Sequence, residues 1–320
     1  MDLKKLNKVL RKEISLSSNV FIIGHNDLDL DAIGAAIGIS LISKRLNRKP
    51  YIIINDNILE NGVEKILNES KNLNIICNAN LNELLDEKSL LIIVDTNKLK
   101  LTSIDKYVKK FNEVIVIDHH TKNYETIDKN NVFIYTDVSS TCEIITSLLI
   151  DFKINLTPKE ATYVLSGIVL DTSNFTLKAK KETFYYAYYL LSKGATIYGV
   201  QQLLKQNLLQ FITNQKMLLN AKTYGNIAIT LSNTSEYFRR EDLAKVADTL
   251  LTFDNIELSF AIAYTDEDEV SISARSMGDL DVGLLLEKMQ GGGNKQEAGT
   301  KIKNKKIKTV EKELKELLNI

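Results

Sequence analysis

Short runs of β-branched and other apolar residues recur along the first half of the chain, each stopped by polar residues. Val20-Phe21-Ile22-Ile23, residues 51–54, Leu90-Leu91-Ile92-Ile93-Val94, Val114-Ile115-Val116-Ile117 and residues 132–135 read as buried strands, with 73–76 a further short one. Between them the apolar spacing turns helical. Leu3, Leu6, Val9, Leu10 and Ile14 predict an amphipathic helix over 2–15. The stretch 32–46, with Gly34, Ala35, Ala36 and Gly38, predicts a helix able to pack closely on a sheet. Ser140-Thr141-Cys142-Glu143 reads as a capping box opening a helix to Ile150. Thr157-Pro158-Lys159-Glu160 repeats the device, with proline at the first helical position, for a helix that meets Asp171. Strands alternating with helices predict an α/β fold, a mostly parallel sheet with helices on both faces.

Residues 199–222 read as a helical connector, and after Gly225 the pattern restarts. Strands are expected at 227–231, 256–264 and 270–275, and helices at 241–251, 281–289 and 307–318. Asp266-Glu267-Asp268-Glu269 reads as a solvated hairpin tip. The expected organisation is a catalytic, metal-binding domain over 1–198, the connector, and a smaller α/β domain with a mixed sheet over 223–320.

Composition narrows the function. At 320 residues the chain is comfortable for two domains. Lys plus Arg and Asp plus Glu number 41 each, so no broad electrostatic footprint for long duplex nucleic acid is indicated, while a small anionic ligand at a local site stays open. Cys77 and Cys142 are widely spaced, so a reducing, cytoplasmic compartment is expected rather than a disulfide framework. Met1-Asp2-Leu3-Lys4-Lys5 lacks the apolar core of a signal peptide, and no apolar run approaches the ~20 residues that span a bilayer, so no membrane partner is expected.

The strand ends carry the chemistry. Of three histidines, His119 and His120 follow Asp118 at the end of one apolar run, and His25 follows another, ahead of Asp29 and Asp31. Asp95 ends a third run and Asp171 ends a helix. The carboxyl ends of strands are where open α/β sheets bind ligands. Carboxylates and imidazoles without thiolate suit two divalent cations with a bridging carboxylate: two Mn²⁺, with Mg²⁺ or Co²⁺ as substitutes. A pair ~3.5–4 Å apart can generate hydroxide and clamp both oxygens of an in-line displacement at phosphorus. Asp31 also reads as a helix cap, and Asp118 as a group orienting His119.

Gly24-His25-Asn26-Asp27-Leu28-Asp29-Leu30-Asp31-Ala32-Ile33-Gly34 resembles the first motif of the DHH phosphoesterase superfamily. Val94-Asp95-Thr96-Asn97 resembles the second, Asp118-His119-His120 the third and Gly167-Ile168-Val169-Leu170-Asp171-Thr172 the fourth, in the family's order. Ser273-Ala274-Arg275-Ser276 and Gly291-Gly292-Gly293-Asn294 resemble the DHH-associated domain. The resemblance implies one metal held by His25, Asp29 and Asp95, and another held by Asp31, Asp95, His119 and Asp171. It further implies that Asp118 supports an imidazole from behind and that His120 faces the scissile phosphate. Ser273, Arg275, Gly291, Gly292, Gly293 and Asn294 would bind substrate, in a domain that closes over it, and the assembly would be a homodimer.

The sequence departs from the family in its glycine loop. Gln290 stands where the first of four glycines is usual, Asn294 in place of the histidine and Glu297 in place of an alanine. Asparagine cannot become cationic, which weakens the expected grip on a terminal phosphate. Leu28 stands where the first motif often has proline. Leu30 between Asp29 and Asp31, Asp171-Thr172-Ser173-Asn174-Phe175-Thr176-Leu177 and Ser273-Ala274-Arg275-Ser276-Met277-Gly278-Asp279 resemble the GdpP-type cyclic-di-AMP phosphodiesterases, whose membrane and sensory parts are not in this sequence. The resemblance implies a free-standing manganese-dependent phosphodiesterase converting cyclic di-AMP to pApA, with continuation to AMP left open. Two alternatives stand beside it. One is a nanoRNase acting on pApA and short RNA, with pAp phosphatase activity; the other is a metal-free nucleotide sensor.

Overall fold

The computed structural model describes residues 3–55, 59–205, 207–232 and 237–320. Asp2 of the helix expected over 2–15 and Gln206 of the 199–222 stretch lie outside the described residues. The chain divides into two compact units, Met1–Lys205 and Gln206–Ile320.

The first unit runs α1 (Lys4–Leu16), β1 (Asn19–Ile23), α2 (Leu30–Arg45), β2 (Lys49–Ile53), α3 (Asn61–Glu69), β3 (Ile75–Ile76), α4 (Leu81–Leu84) and β4 (Leu90–Val94). It continues with β5 (Glu113–Asp118), β6 (Asn131–Ile134), α5 (Thr141–Asp151), α6 (Pro158–Asp171), α7 (Lys181–Ser192) and α8 (Ile197–Leu203). The strands form one sheet in the order β3-β2-β1-β4-β5-β6, with every neighbouring pair parallel. Alternating side chains feed two cores. Val20 and Ile22 face a core shared with Leu6 and Leu10 of α1, Ile33 and Ile37 of α2, Ile144 of α5 and Ile168 of α6. Phe21 and Ile23 face the other side, covered by Leu81 of α4 and by Ile104, Val108 and Phe111. Both faces are thus covered, one by long helices and one by a short helix and turns.

From β1 the chain steps outward to β2 and β3, then returns to β4 and steps outward the other way to β5 and β6. The order reverses between β1 and β4, and the carboxyl ends there open the crevice in which such sheets bind ligands. The register keeps those ends level: Ile23 pairs with Ile93, and Val94 with Ile117. Above the sheet, α2 and α6 come very close. A Cβ on Gly167 would lie 2.8 Å from Asp31 Cα and 2.6 Å from Cys142 Sγ, so only glycine permits this approach.

The second unit contains α9 (Leu208–Leu219), β7 (Lys222–Tyr224), β8 (Ile227–Leu231), α10 (Arg240–Leu250), β9 (Leu258–Asp266) and β10 (Glu269–Ser276). It ends with α11 (Val282–Glu287), β11 (Gly292–Gly293), β12 (Glu297–Lys303) and α12 (Ile307–Leu318). Its sheet, ordered β11-β12-β10-β9-β8-β7, is mixed, with β8 and β9 parallel and the other pairs antiparallel.

The stretch 199–222 is not one helix. α8 ends at Leu203, and Asn207 restarts the chain as α9 by accepting the N–H groups of Leu209 and Gln210 on its side-chain oxygen. The two compact units divide within this stretch, between Lys205 and Gln206. Several elements escaped the sequence pattern, namely the short α3, α4, β7 and β11 and the longer α7 and β12. α7 leaves Phe184, Tyr185 and Tyr188 exposed, which blurs its helical periodicity, and β12 buries only the small Ala298 and Thr300 among charged neighbours. No helix among the described residues is long and apolar enough to cross a membrane.

Candidate metal centre

His25 and Asp29 are each tied at one end and open at the other. His25 follows β1, and its Nδ1 lies 2.7 Å from the carbonyl oxygen of Asn26. A carbonyl can only accept, so Nδ1 carries a hydrogen, and in the neutral ring Nε2 is the nitrogen with the lone pair. Asp29 is the N-cap of α2: its Oδ1 accepts from the N–H groups of Asp31 and Ala32, leaving Oδ2 3.5 Å from His25 Nε2. The cap is therefore Asp29 and not Asp31, because the helix begins at Leu30, two residues ahead of the stretch expected from sequence.

Asp31, fully buried in the first turn of α2, accepts from the backbone N–H of Thr141 at 2.7 Å and of Cys142 at 2.8 Å. Asp95 lies just past β4 with φ of +60°, its N–H bonded to the Ile117 carbonyl at 3.0 Å. Its Oδ2 is 3.4 Å from His25 Nε2 and its Oδ1 is 3.5 Å from His119 Nε2. The hydroxyl of Thr141 donates to that same Oδ1 at 2.9 Å. Asp171, the last residue of α6, brings Oδ2 to 3.3 Å from His119 Nε2.

Three clusters result, each with one donor atom per residue and all donor atoms within 4.8 Å of one another: His25 with Asp29 and Asp95, Asp31 with His119 and Asp171, and Asp95 with His119 and His120. Asp95 recurs: its Oδ2 faces His25, while its Oδ1 faces His119 and, at 3.8 Å, His120 Nδ1. Two ligands ~2.1 Å from a common ion, at octahedral or tetrahedral angles, stand roughly 3.0–3.5 Å apart. The measured separations of 3.3–3.5 Å match that spacing. His119 Nε2 is buried, makes no hydrogen bond and faces the carboxylates of Asp95 and Asp171. The residues present fit divalent cations.

The electrostatics agree. Burial and the charge of Asp95 push the Asp31 carboxyl well above the usual range, and burial with Asp31 and Asp95 does the same to Asp171. Burial opposes the charged form of Asp29, yet His25 outweighs it and holds that carboxyl at about 2. Burial also works against the His25 imidazolium, but Asp29 and Asp95 raise it well above its ordinary value. His119 is lowered by burial and by the charge of His120. Carboxylates crowded out of water repel one another, and cations are what relieve them.

Asp118 plays a different part. Its Oδ1 accepts from the backbone N–H groups of His119 and His120 and from His120 Nδ1 at 2.8 Å, and its Oδ2 accepts from Asn97 Nδ2 at 2.6 Å. This saturated, fully buried carboxylate holds the ring of His120, not that of His119, through Nδ1, and the His120 side chain is about half exposed. Burial opposes the His120 imidazolium, but the Asp118 hydrogen bond and the Asp95 charge raise it to about 9.

Three contributors went unassigned from sequence. Asn97 stood in a quoted motif without a role, and Thr141 and Cys142 stood only as the start of a helix. Nothing local to residues 140–143 says that this helix points at Asp31 and Asp95.

The expected substrate-binding residues belong to the second unit. Ser273 and Arg275 share one side of β10. Arg275 donates from Nε to Asp248 Oδ1 at 2.6 Å and from Nη1 to the Ala274 carbonyl at 3.0 Å. Gly291 precedes β11, and Gly292 and Gly293 form it, paired to β12. A Cβ on Gly291 would lie 2.5 Å from the Gly299 carbonyl, whereas one on Gly292 would meet nothing within 4 Å. Asn294 spends its side-chain oxygen on its own turn, accepting from Gln296 and Glu297 at 2.8 and 2.9 Å.

A parallel sheet with carboxylate–imidazole clusters at its switch point, followed by a mixed-sheet domain, defines a recognisable class of two-domain α/β proteins. The chain belongs to the DHH family: the model of the DHH family N-terminal domain matches residues 19–168 and that of the DHHA1 domain matches residues 225–320. It is 37% identical over 310 residues to the cyclic-di-AMP phosphodiesterase GdpP of Bacillus subtilis (strain 168), covering 93% of this chain and 47% of that protein. The chain thus spans about half the length of the curated relatives it matches. Among solved structures, an exopolyphosphatase-related protein from Bacteroides fragilis shares the fold with a TM-score of 0.86 at 19% identity, covering 99% of this chain and 96% of that one. RecJ in complex with Mn²⁺ from Thermus thermophilus aligns with a TM-score of 0.58 at 13% identity, covering 99% of this chain and 55% of that one.

Proposed function

We propose that this chain is a manganese-dependent phosphodiesterase that opens cyclic di-AMP to pApA. The observation that carries the reading is Asp95, whose two oxygens face two separate imidazole–carboxylate sets. The relation to a cyclic-di-AMP phosphodiesterase supports the substrate. Oxygen and nitrogen donors without thiolate support Mn²⁺, the ion in the RecJ complex.

When bound, a divalent pair supplies Lewis-acid polarisation of the phosphodiester and acidifies the attacking water. His25, Asp29 and Asp95 would hold one cation, and Asp31, Asp95, His119 and Asp171 the other. His120, fixed by Asp118 and Asn97, gives a proton to the departing oxygen. Arg275 offers a planar fork for a second phosphate once it exchanges Asp248 for substrate.

The test is time-resolved product analysis with Mn²⁺, offering cyclic di-AMP and pApA separately. Loss of the cyclic compound with accumulation of pApA is the expected result. Inert cyclic di-AMP beside rapid conversion of pApA to AMP would replace this reading with a nanoRNase, and no turnover of either would remove the phosphodiesterase.

A further inference from the structure

We propose that Thr141 is a positioning residue for the metal centre, one that acts on only one of the two cation positions. The inference rests on the metal centre assigned above and concerns how its two halves differ.

The two positions are anchored by separate parts of the chain. Around His25 the anchors are local: the Asn26 carbonyl holds the His25 ring, and the N–H groups of Asp31 and Ala32 hold Asp29. Around His119 they come from α5. Both oxygens of Asp31 are taken by N–H groups at its first two residues, Thr141 and Cys142. The Thr141 hydroxyl, itself fully buried, holds Asp95 Oδ1, which is the oxygen that faces His119. Thr141 therefore grips Asp31 through its backbone and, through its side chain, the one oxygen of the shared Asp95 that faces His119. It touches neither His25 nor Asp29 by any hydrogen bond found among the described residues.

Asp95 needs such a grip. Its backbone occupies the left-handed region, where non-glycine residues are uncommon, and its carboxylate is almost completely buried. With imidazoles on either side of it, how well Oδ1 is aimed at the His119 position depends on what holds that oxygen. A hydroxyl donating to Oδ1 holds that oxygen directly and still leaves it a lone pair for a cation. Groups that orient metal ligands in this way typically change affinity by about 10–100-fold when removed.

The experiment titrates Mn²⁺ into the metal-free full chain and counts bound ions from the loss of the free-ion electron paramagnetic resonance signal. The variants are Thr141→Val, which removes the hydroxyl at equal volume, and Thr141→Ser, which keeps it. Two ions are expected on the unsubstituted protein. On Thr141→Val one ion should bind as before and the other about 10–100-fold more weakly, with Thr141→Ser restoring both. Thr141→Ala repeats the test without β-branching should valine crowd the helix terminus. Unchanged binding of both ions by Thr141→Val overturns the inference. Equal weakening of both does so too, since it means general loosening, and so does failure of Thr141→Ser to restore. An unsubstituted protein that binds no Mn²⁺ overturns the metal centre itself, a result distinguishable from all of these.

Discussion

The two units treat their polar side chains in opposite ways. At the crevice of the first, His25, Asp29, Asp95, His119 and Asp171 turn nitrogen and oxygen atoms towards one another at 3.3–3.5 Å. In the second, Arg275 is bound to Asp248 and Asn294 is spent on its own turn. A buried polar atom left without a partner is costly, and His119 Nε2 is one, set facing the carboxylates of Asp95 and Asp171, so this part of the fold is arranged around something that completes it. Side chains already satisfied need a ligand that outcompetes the existing partner, and so tune affinity rather than create it. The first region should therefore control whether the reaction occurs, and the second how well substrate is held.

The strongest way to break that contrast is Asp95→Asn. Losing a carboxylate shared by both cation positions should cost at least about a thousandfold in turnover, the scale of several kcal/mol of Lewis-acid stabilisation. Steady-state hydrolysis of cyclic di-AMP in Mn²⁺ reads this directly, and substantial residual activity would contradict the shared role.

Arg275→Ala should act on the other side of the comparison. Its effect is expected in KM, on the order of 10–100-fold for a lost charged hydrogen bond, with kcat little changed. Asp248→Asn should move KM the opposite way by freeing the guanidinium. A fall in kcat alone for Arg275→Ala would place that residue with the chemistry instead.

The smallest effect belongs to Asn294→Ala. It removes the acceptor for two backbone N–H groups and should lower stability by about 1 kcal/mol, while Asn294→Asp retains the acceptor and should not. Denaturant unfolding of the two variants separates this turn-forming role from substrate contact; a large loss of activity at unchanged stability would favour contact.

Much of this was legible in the residues themselves. Apolar runs that stop on His25, Asp95 and Asp118 carry both the strand and its functional end in one local pattern, because burial on both faces demands a continuous run and the polar end marks its exit. The capping sequence at Thr157 was read correctly for the same reason: Glu160 reaches back only three residues. At Ser140 the reading was half right. Ser140 caps the helix, but Glu143 turns inward to Ser139 and Thr183 rather than back to the cap. Local order also misjudged Asp31, whose partners lie 110 and 111 positions away in α5.

The sequence by itself determined which strands are buried, where they end and which metal-capable residues stand at those ends, since these follow from periodicity and side-chain chemistry within a few residues. Only the tertiary structure decided how those residues are shared: that Asp95 turns one oxygen to His25 and the other to His119, and that α5 aims its first N–H groups at Asp31. Those outcomes depend on strand order at the switch point and on the close approach of α2 and α6 at Gly167. Both arise from packing between segments far apart in the chain, which no local pattern records.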